Sequence, residues 1–161
     1  MGGSGGGSGA SFGDLEEFRK RTREELEKAK NRRNVFISFD ADDKDSVNLL
    51  RGQAANDMSE VEFNDWSVKV PYDSENADYI RRRIEERIRQ CSVTVVYVSD
   101  KTAASKWVNW EVEKSKELGK TIVAVYAGDK PPRKLPTSVA VNGDKIRVIA
   151  WRDLAAFVKN L

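Results

Sequence analysis

The sequence predicts an α/β domain of the flavodoxin-like class: a five-stranded parallel sheet between two layers of helices, with strand order 2-1-3-4-5. From residue 34 onward, strand-like and helix-like segments alternate, which is typical of parallel strands joined by helical crossovers. The segments 93–98 and 121–126 are almost continuously apolar and are therefore expected at the centre. The second and fifth strands alternate polar with apolar residues, as edge strands do. This order puts the topological switch point, where the strand order reverses, between the first and third strands.

Three regions are expected along the chain. Residues 1–11 are mostly glycine and serine and indicate a linker or cloning remnant. Residues 12–33 are highly charged with a thin apolar stripe, and predict a helix that either packs on the domain or a partner, or is solvated and partly frayed. Residues 34–161 have a length that suits one domain with a single core.

The elements of the predicted domain follow from periodicity and from start and stop signals. The strands are predicted at 35–39, 60–63, 93–98, 121–126 and 145–149. The helices are predicted at 45–56, at 74–90, between Ser105 and Gly119, and at 153–161. The expected N-terminal caps are Asp43 or Asp45 for the first helix, Asp73 or Ser74 for the second, and Ser105 for the third.

Composition excludes several classes of function. The formal charge of +2 is too balanced to indicate nucleic acid or an anionic membrane as a partner, and no apolar run is long enough to span a bilayer. The single cysteine, Cys91, cannot form an internal disulfide, which fits a cytoplasmic protein. Because the chain has no histidine, Ser-His and Cys-His nucleophile pairs and histidine-based zinc sites are excluded. No metal is expected.

The segment SKWVNWE at 105–111 is the main candidate for chemistry. It opens a helix just after a central strand, at the edge of the sheet where α/β proteins bind ligands. Trp107 and Glu111 are four residues apart and therefore lie on one face of that helix. A carboxylate beside a large ring at this edge is a candidate catalytic acid. The competing interpretation is a surface carboxylate paired with Lys114 or Ser115.

Other candidates surround the expected crevice, and each has a structural alternative. The aspartates at 40, 42 and 43 would either bind a ligand or cap a helix. Phe39 would either stack on a ring or fill the core. Trp66 would either bind a planar ligand or cover the core. The arginines of 81–89 are offset by acidic neighbours and indicate a solvated helix face. Neither glycine-rich phosphate-binding motif occurs, so a bound nucleotide would be held by side chains and helix ends.

Four ordered motifs stand out along the chain: NVFISFD at 34–40, EFNDWS at 62–67, DSENADYI at 73–80 and SKWVNWE at 105–111. Together they resemble the TIR-like domains of the Thoeris ThsB group. The resemblance covers residues 34 to 127 and implies the same flavodoxin-like sheet. It also implies an enzyme that cleaves NAD+ at the nicotinamide–ribose bond and releases cyclic ADP-ribose-type signals in anti-phage defence. NAD+ is then the substrate, and no separate cofactor is expected.

The resemblance assigns roles to particular residues. The essential glutamate of such enzymes lies one turn after a tryptophan at the start of the helix that follows the central strand, and Glu111 matches it. Phe39, Asp40, Asp65, Trp66, Ser99 and Trp107 are expected to bind substrate, with Trp107 also desolvating Glu111. Self-assembly into a homo-oligomer and a downstream effector that reads the nucleotide signal are expected partners. The extended N-terminal helix departs from a minimal TIR domain, so its role stays open.

Two other functions remain in competition. A non-catalytic TIR-like module would assemble through the loop 64–73 or the N-terminal helix. A receiver-like phospho-acceptor would use Asp42, Asp43 and Asp100, although Ser99 rather than an aspartate ends the central strand.

Overall fold

The structure is a computed structural model that describes residues 9, 11–31, 33–57, 61–64 and 70–161. The chain divides into two units, Met1–Arg32 and Arg33–Leu161. None of the helices within these described ranges is both long and apolar enough to cross a bilayer.

The first unit contains helix α1, Phe12–Asn31. Ser11 and Asp14 cap it reciprocally: the Ser11 backbone amide donates to the Asp14 carboxylate over 3.0 Å, and the Asp14 amide donates to the Ser11 hydroxyl over 3.3 Å. Phe12 and Phe18 are mostly exposed within this helix.

The second unit is built on a parallel sheet of five strands in the order β2-β1-β3-β4-β5. The strands are β1 Arg33–Ser38, β2 Val61–Asn64, β3 Val93–Tyr97, β4 Thr121–Tyr126 and β5 Arg147–Ala150. The helices are α2 Lys44–Asp57, α3 Ala77–Gln90, α4 Lys106–Glu117, α5 Thr137–Ala140 and α6 Leu154–Lys159. Short 3-10 turns occupy Ala41–Asp43, Thr102–Ala104 and Trp151–Asp153. The predicted flavodoxin-like α/β class is confirmed.

Alternating side chains of the strands bury two opposite faces of the sheet. On one face, Val35, Ile37 and Tyr97 pack with Val47 of α2 and Leu154 of α6. We call this the α2/α6 face. On the other, Phe36 packs with the isoleucines of α3, and Val96 and Val98 pack with the valines of α4. We call this the α3/α4 face. The core therefore lies in two layers, one on each side of the sheet.

Helix α3 shows why its sequence is rich in arginine. Its buried positions are at helical spacing and include Ile84 and Ile88, both without solvent exposure. The arginines pair with acids on the same helix, in Arg81–Asp78, Arg83–Glu86 and Arg89–Glu85. An exposed pair such as Arg83–Glu86 contributes little stability and supports the interpretation of a solvated face, whereas the side chain of Arg81 is only 24% exposed.

Two local predictions were wrong for identifiable reasons, and one short helix was missed. Helix α3 is preceded by consecutive turns, so its N-cap is Asn76 rather than Asp73 or Ser74. Strand β5 begins at Arg147, because the Lys145 and Ile146 amides both donate to the Asn142 carbonyl and hold the chain in a turn. The four-residue helix α5 follows Pro136 and was not predicted. Its Ser138 amide donates to the Asn109 side chain over 2.9 Å.

Candidate active site at the carboxyl end of the sheet

Helix α4 carries Glu111 into the protein interior. Ser105 caps this helix as predicted, since its hydroxyl accepts the Val108 amide over 3.4 Å. Val108, Val112 and Ser115 occupy the inward side of the helix and are fully buried. Glu111 lies among these inward positions and is only 4% exposed. The alternative of a surface carboxylate is therefore wrong.

The two partners proposed for a surface Glu111 are engaged elsewhere. The ammonium group of Lys114 lies 2.7 Å from the Glu117 carboxylate and 3.8 Å from that of Glu85. The hydroxyl of Ser115 is hydrogen-bonded to that of Thr94, at 2.8 Å.

Ser38, the last residue of β1, is the hydrogen-bond partner of Glu111. Its hydroxyl donates to the Glu111 carboxyl group, and Ser38 is itself 1% exposed. This contact joins two residues 73 positions apart and ties α4 to the end of the first strand. The pair therefore sits at the carboxyl end of the sheet on the α3/α4 face, next to the junction of β1 with β3.

Burial makes Glu111 a weak acid. Removal from solvent raises the pKa of Glu111 from 4.5 to about 8, and the hydrogen bond from Ser38 opposes that rise only in part. At neutral pH the side chain is therefore mostly protonated. A strongly shifted acid at the ligand-binding edge of an α/β sheet is a functional-site candidate on physical grounds.

Trp107 is engaged with the chain that follows the second strand. Its indole nitrogen donates to the Val70 carbonyl over 3.0 Å, and its ring meets that of Tyr72 edge to face at 5.1 Å. The guanidinium of Arg81 lies 4.3 Å from the Tyr72 ring centre and 5.6 Å from that of Trp107. These contacts fasten residues 70–72 to α3 and α4. The expected desolvation of Glu111 by Trp107 remains a prediction.

A second polar pair lies at the same edge of the sheet. The hydroxyl of Ser99 donates to the Asp43 carboxylate over 2.6 Å, and the Ser99 amide donates to the Thr102 hydroxyl over 2.8 Å. Asp43 is 4% exposed, and burial raises its pKa despite the opposing hydrogen bond from Ser99. Asp43 precedes α2, so this pair belongs to the α2/α6 face.

The remaining candidates are distributed as follows. Asp40 caps the turn Ala41–Asp43, because its carboxylate accepts the Asp42 amide over 3.0 Å. Phe39 is partly buried and packs against the cluster on the α2/α6 face. Asp65 and Trp66 lie outside the described residues. The structure thus brings Glu111 together with Ser38, whereas Phe39 and Ser99 lie towards the other face.

Sequence reasoning missed Ser38 and the pairing of Asp43 with Ser99. Ser38 was detectable in principle, because it is the one hydroxyl within the apolar run 35–39. Within the described part of the chain, no group of three or more His, Cys, Asp or Glu residues is arranged to hold a metal ion.

Comparison with known proteins agrees with this architecture. The family described as "Thoeris protein ThsB, TIR-like domain" matches residues 36–131. Sixteen chains of solved structures also match, and one is the Clostridium botulinum CMP N-glycosidase BcmB. It aligns with a TM-score of 0.51 and 12% identity over 80% of this chain and 100% of its own. At that identity the likeness concerns the fold. No curated protein sequence matches.

Proposed function

We propose that this chain, which belongs to the Thoeris ThsB family of TIR-like domains, cleaves NAD+ at the bond between nicotinamide and ribose. The observation that carries the proposal is Glu111, a buried acid with a pKa of about 8 at the carboxyl end of the sheet. The glutamate that the resemblance assigns to catalysis is the same residue. The Clostridium botulinum neighbour is a CMP N-glycosidase, and cleavage of an N-glycosidic bond in a nucleotide is chemistry of the same class.

The reaction needs neither histidine nor metal. Nicotinamide in NAD+ carries a positive charge and leaves with the electron pair of the C–N bond, so the ribose acquires oxocarbenium character. A carboxylate close to the ribose stabilises that developing charge. Attack by water then forms ADP-ribose and releases a proton, whereas attack by the adenine of the same molecule forms a cyclic product. Glu111 has the same role in both routes.

The protonation state of Glu111 provides a link between substrate binding and chemistry. In the free protein its carboxyl group is mostly neutral at pH 7, because its pKa is about 8. A cationic nicotinamide group within a few ångströms favours the ionised form and lowers the pKa. Binding of NAD+ would therefore release a proton from Glu111 and create the carboxylate that the transition state requires. The hydrogen bond from Ser38 supports the same ionised form.

The biological setting is part of the proposal. A cyclic ADP-ribose-type product would act as a signal for a separate effector in anti-phage defence, inside the cytoplasm. Self-assembly would be the route to activation, as the resemblance implies. Phe39, Asp40, Ser99 and Trp107 remain proposed substrate contacts, together with Asp65 and Trp66.

The test is nicotinamide release from NAD+ by the purified protein, compared with Glu111→Gln and Glu113→Gln. Glu113 is exposed on the same helix and provides the same chemical change away from the core. We expect the first variant to lose turnover by at least about a hundredfold and the second to retain it. Turnover that survives Glu111→Gln would reject the mechanism. The assay should span dilute and concentrated protein, because activation by assembly depends on concentration.

A non-catalytic assembly module is the alternative, and one observation favours it. Helix α1 exposes the large apolar side chains of Phe12 and Phe18, which are 85% and 68% accessible within their unit. Such residues indicate a surface for association. Concentrated protein that self-associates but releases no nicotinamide would support this alternative. Turnover that depends on Glu111 would contradict it.

A further inference from the structure

A surface depression lies at the carboxyl ends of the two central strands, β3 and β4. It is a groove of about 450 Å³, which falls within the range of about 300–1,000 Å³ that small-molecule sites occupy. Residues 97–100, at the end of β3 and beyond it, form one wall, and residues 126–127 and 130–133, at the end of β4 and beyond it, form the other. Ligands of open α/β sheets bind outside the carboxyl ends of strands, so the position suits a ligand.

The groove carries two cationic side chains. Lys130 and Arg133 line it, and neither forms an ion pair with any residue in the described part of the chain. Among the described residues, Asp100 is the only acidic one in the lining, so positive charge predominates by two to one. Tyr97, which is buried, and Tyr126, which is half-buried, also belong to the lining.

The loop that carries these cations is held in place. Gly128 turns the chain at its start with φ of 84°, a conformation that other residues adopt only with strain. Pro131 and Pro132 restrict the backbone between the two cations. At its far end, Leu135 packs against the core on the α3/α4 face, so the loop is anchored on both sides. A fixed loop reduces the entropy lost when a ligand binds.

Sheet register gives the distance from this groove to the candidate active site. Ser38, the partner of Glu111, pairs with Val96 of β3, and Val96 pairs with Ala124 of β4. Neighbouring strands are about 4.8 Å apart, so Ala124 lies about 10 Å across the sheet from Ser38, and the groove begins two residues further along β4, at Tyr126. A dinucleotide is long enough to reach both places.

We propose that this groove binds the diphosphate of the nucleotide substrate through Lys130 and Arg133, with the scissile riboside directed towards Glu111. The proposal rests on the function proposed above and deepens it. Guanidinium and ammonium groups form charge-assisted hydrogen bonds with phosphate oxygens, and these are stronger than neutral ones.

The first experiment measures binding without turnover. Isothermal titration calorimetry compares ADP with adenosine for the native chain, for the double variant Lys130→Ala/Arg133→Ala, and for Lys134→Ala. Lys134 is exposed on the same loop and does not line the groove, so it controls for loss of one loop charge. We expect the double variant to weaken ADP binding at least about tenfold and Lys134→Ala to change it less than about twofold. Undiminished ADP binding by the double variant would overturn the proposal, as would equal affinity of the native chain for ADP and adenosine.

The second experiment uses turnover to separate the two proposals. The double variant should raise KM for NAD+ at least about tenfold with kcat nearly unchanged, and should leave cleavage of nicotinamide riboside, which lacks the diphosphate, unaffected. Turnover that requires Glu111 but is insensitive to the double variant overturns the groove assignment alone. ADP binding that requires the two cations in a protein that releases no nicotinamide overturns the proposed activity alone.

Discussion

Replacing Glu111 with glutamine should stabilise the fold at neutral and alkaline pH while leaving it nearly unchanged at acid pH. The pKa of Glu111 is about 8 in the folded protein, against 4.5 for an ordinary glutamate. Below pH 4.5 both the folded and the unfolded chain hold this proton. Between pH 4.5 and 8 the unfolded chain releases it and the folded chain keeps it, so the free energy of unfolding falls as pH rises.

The magnitude follows from the difference between those two pKa values. Each unit of difference in pKa corresponds to about 1.4 kcal/mol, so above pH 8 the free energy of unfolding is lower by about 5 kcal/mol in total. Since pH 7 lies most of the way between the two pKa values, the free energy of unfolding is lower by about 3 kcal/mol at that pH. Domains of this size are stable by only about 5–15 kcal/mol in total, so the effect is large. Glutamine has the shape of the neutral acid, does not ionise, and its amide oxygen can accept the hydrogen bond from Ser38.

Urea unfolding at pH 5, 7 and 8.5 provides the measurement, with free energies obtained by linear extrapolation. The advantage of Glu111→Gln over the native chain should grow from under about 1 kcal/mol at pH 5 to about 3 kcal/mol at pH 7. Glu113→Gln should follow the native chain at every pH, because Glu113 is exposed. Parallel pH profiles for Glu111→Gln and the native chain would refute the conclusion that Glu111 is buried in its neutral form.

Three further predictions concern neighbouring features. Ser38→Ala removes the hydrogen bond that lowers the pKa of Glu111, so this pKa should rise above about 8. The measurement is ¹³C NMR of the carboxyl carbon, and an unchanged or lower pKa would contradict the role given to Ser38. Trp107→Phe keeps a ring but loses the indole hydrogen bond, and should cost about 1 kcal/mol in urea unfolding; no cost would show that this bond is unimportant. Gly119→Ala should lower the free energy of unfolding by about 1 kcal/mol, because φ at this residue is 68°. Gly52→Ala should be neutral or stabilising, because Gly52 lies in a helix and an added Cβ would meet open space. Equal effects of the two substitutions would contradict the argument from backbone strain.

Much of the fold was predictable because local pattern and burial agree. The largely apolar run at 93–98 contains strand β3, Val93–Tyr97, and all of its residues are buried. The helical spacing of Ile84 and Ile88 put both in the core. Helix α5 was not predictable in the same way. It has four residues, and one of its backbone amides is satisfied by Asn109, 29 positions earlier in the chain. A contact of that separation has no local signature.

The candidate site was predictable in position but not in environment. Spacing placed Trp107 and Glu111 on one face of a helix at the correct edge of the sheet, and Ser105 was correctly predicted as its cap. Spacing does not reveal whether a carboxylate is buried, because that depends on what the sheet presents opposite. The decisive partner is Ser38, and the contacts of Trp107 reach back 37 positions to Val70. Both required the assembled fold.

The buried pair of Glu111 and Ser38 admits two explanations that one substitution can separate. A purely structural pair requires only hydrogen bonding and volume, and glutamine supplies both without the cost of about 3 kcal/mol at pH 7 that the ionisable acid imposes. A catalytic acid requires the capacity to ionise when a cation arrives, which glutamine lacks. Glu111→Gln that is both more stable and inactive would therefore show a stability–activity trade-off and identify a site. A variant that is more stable and equally active would show a core polar pair.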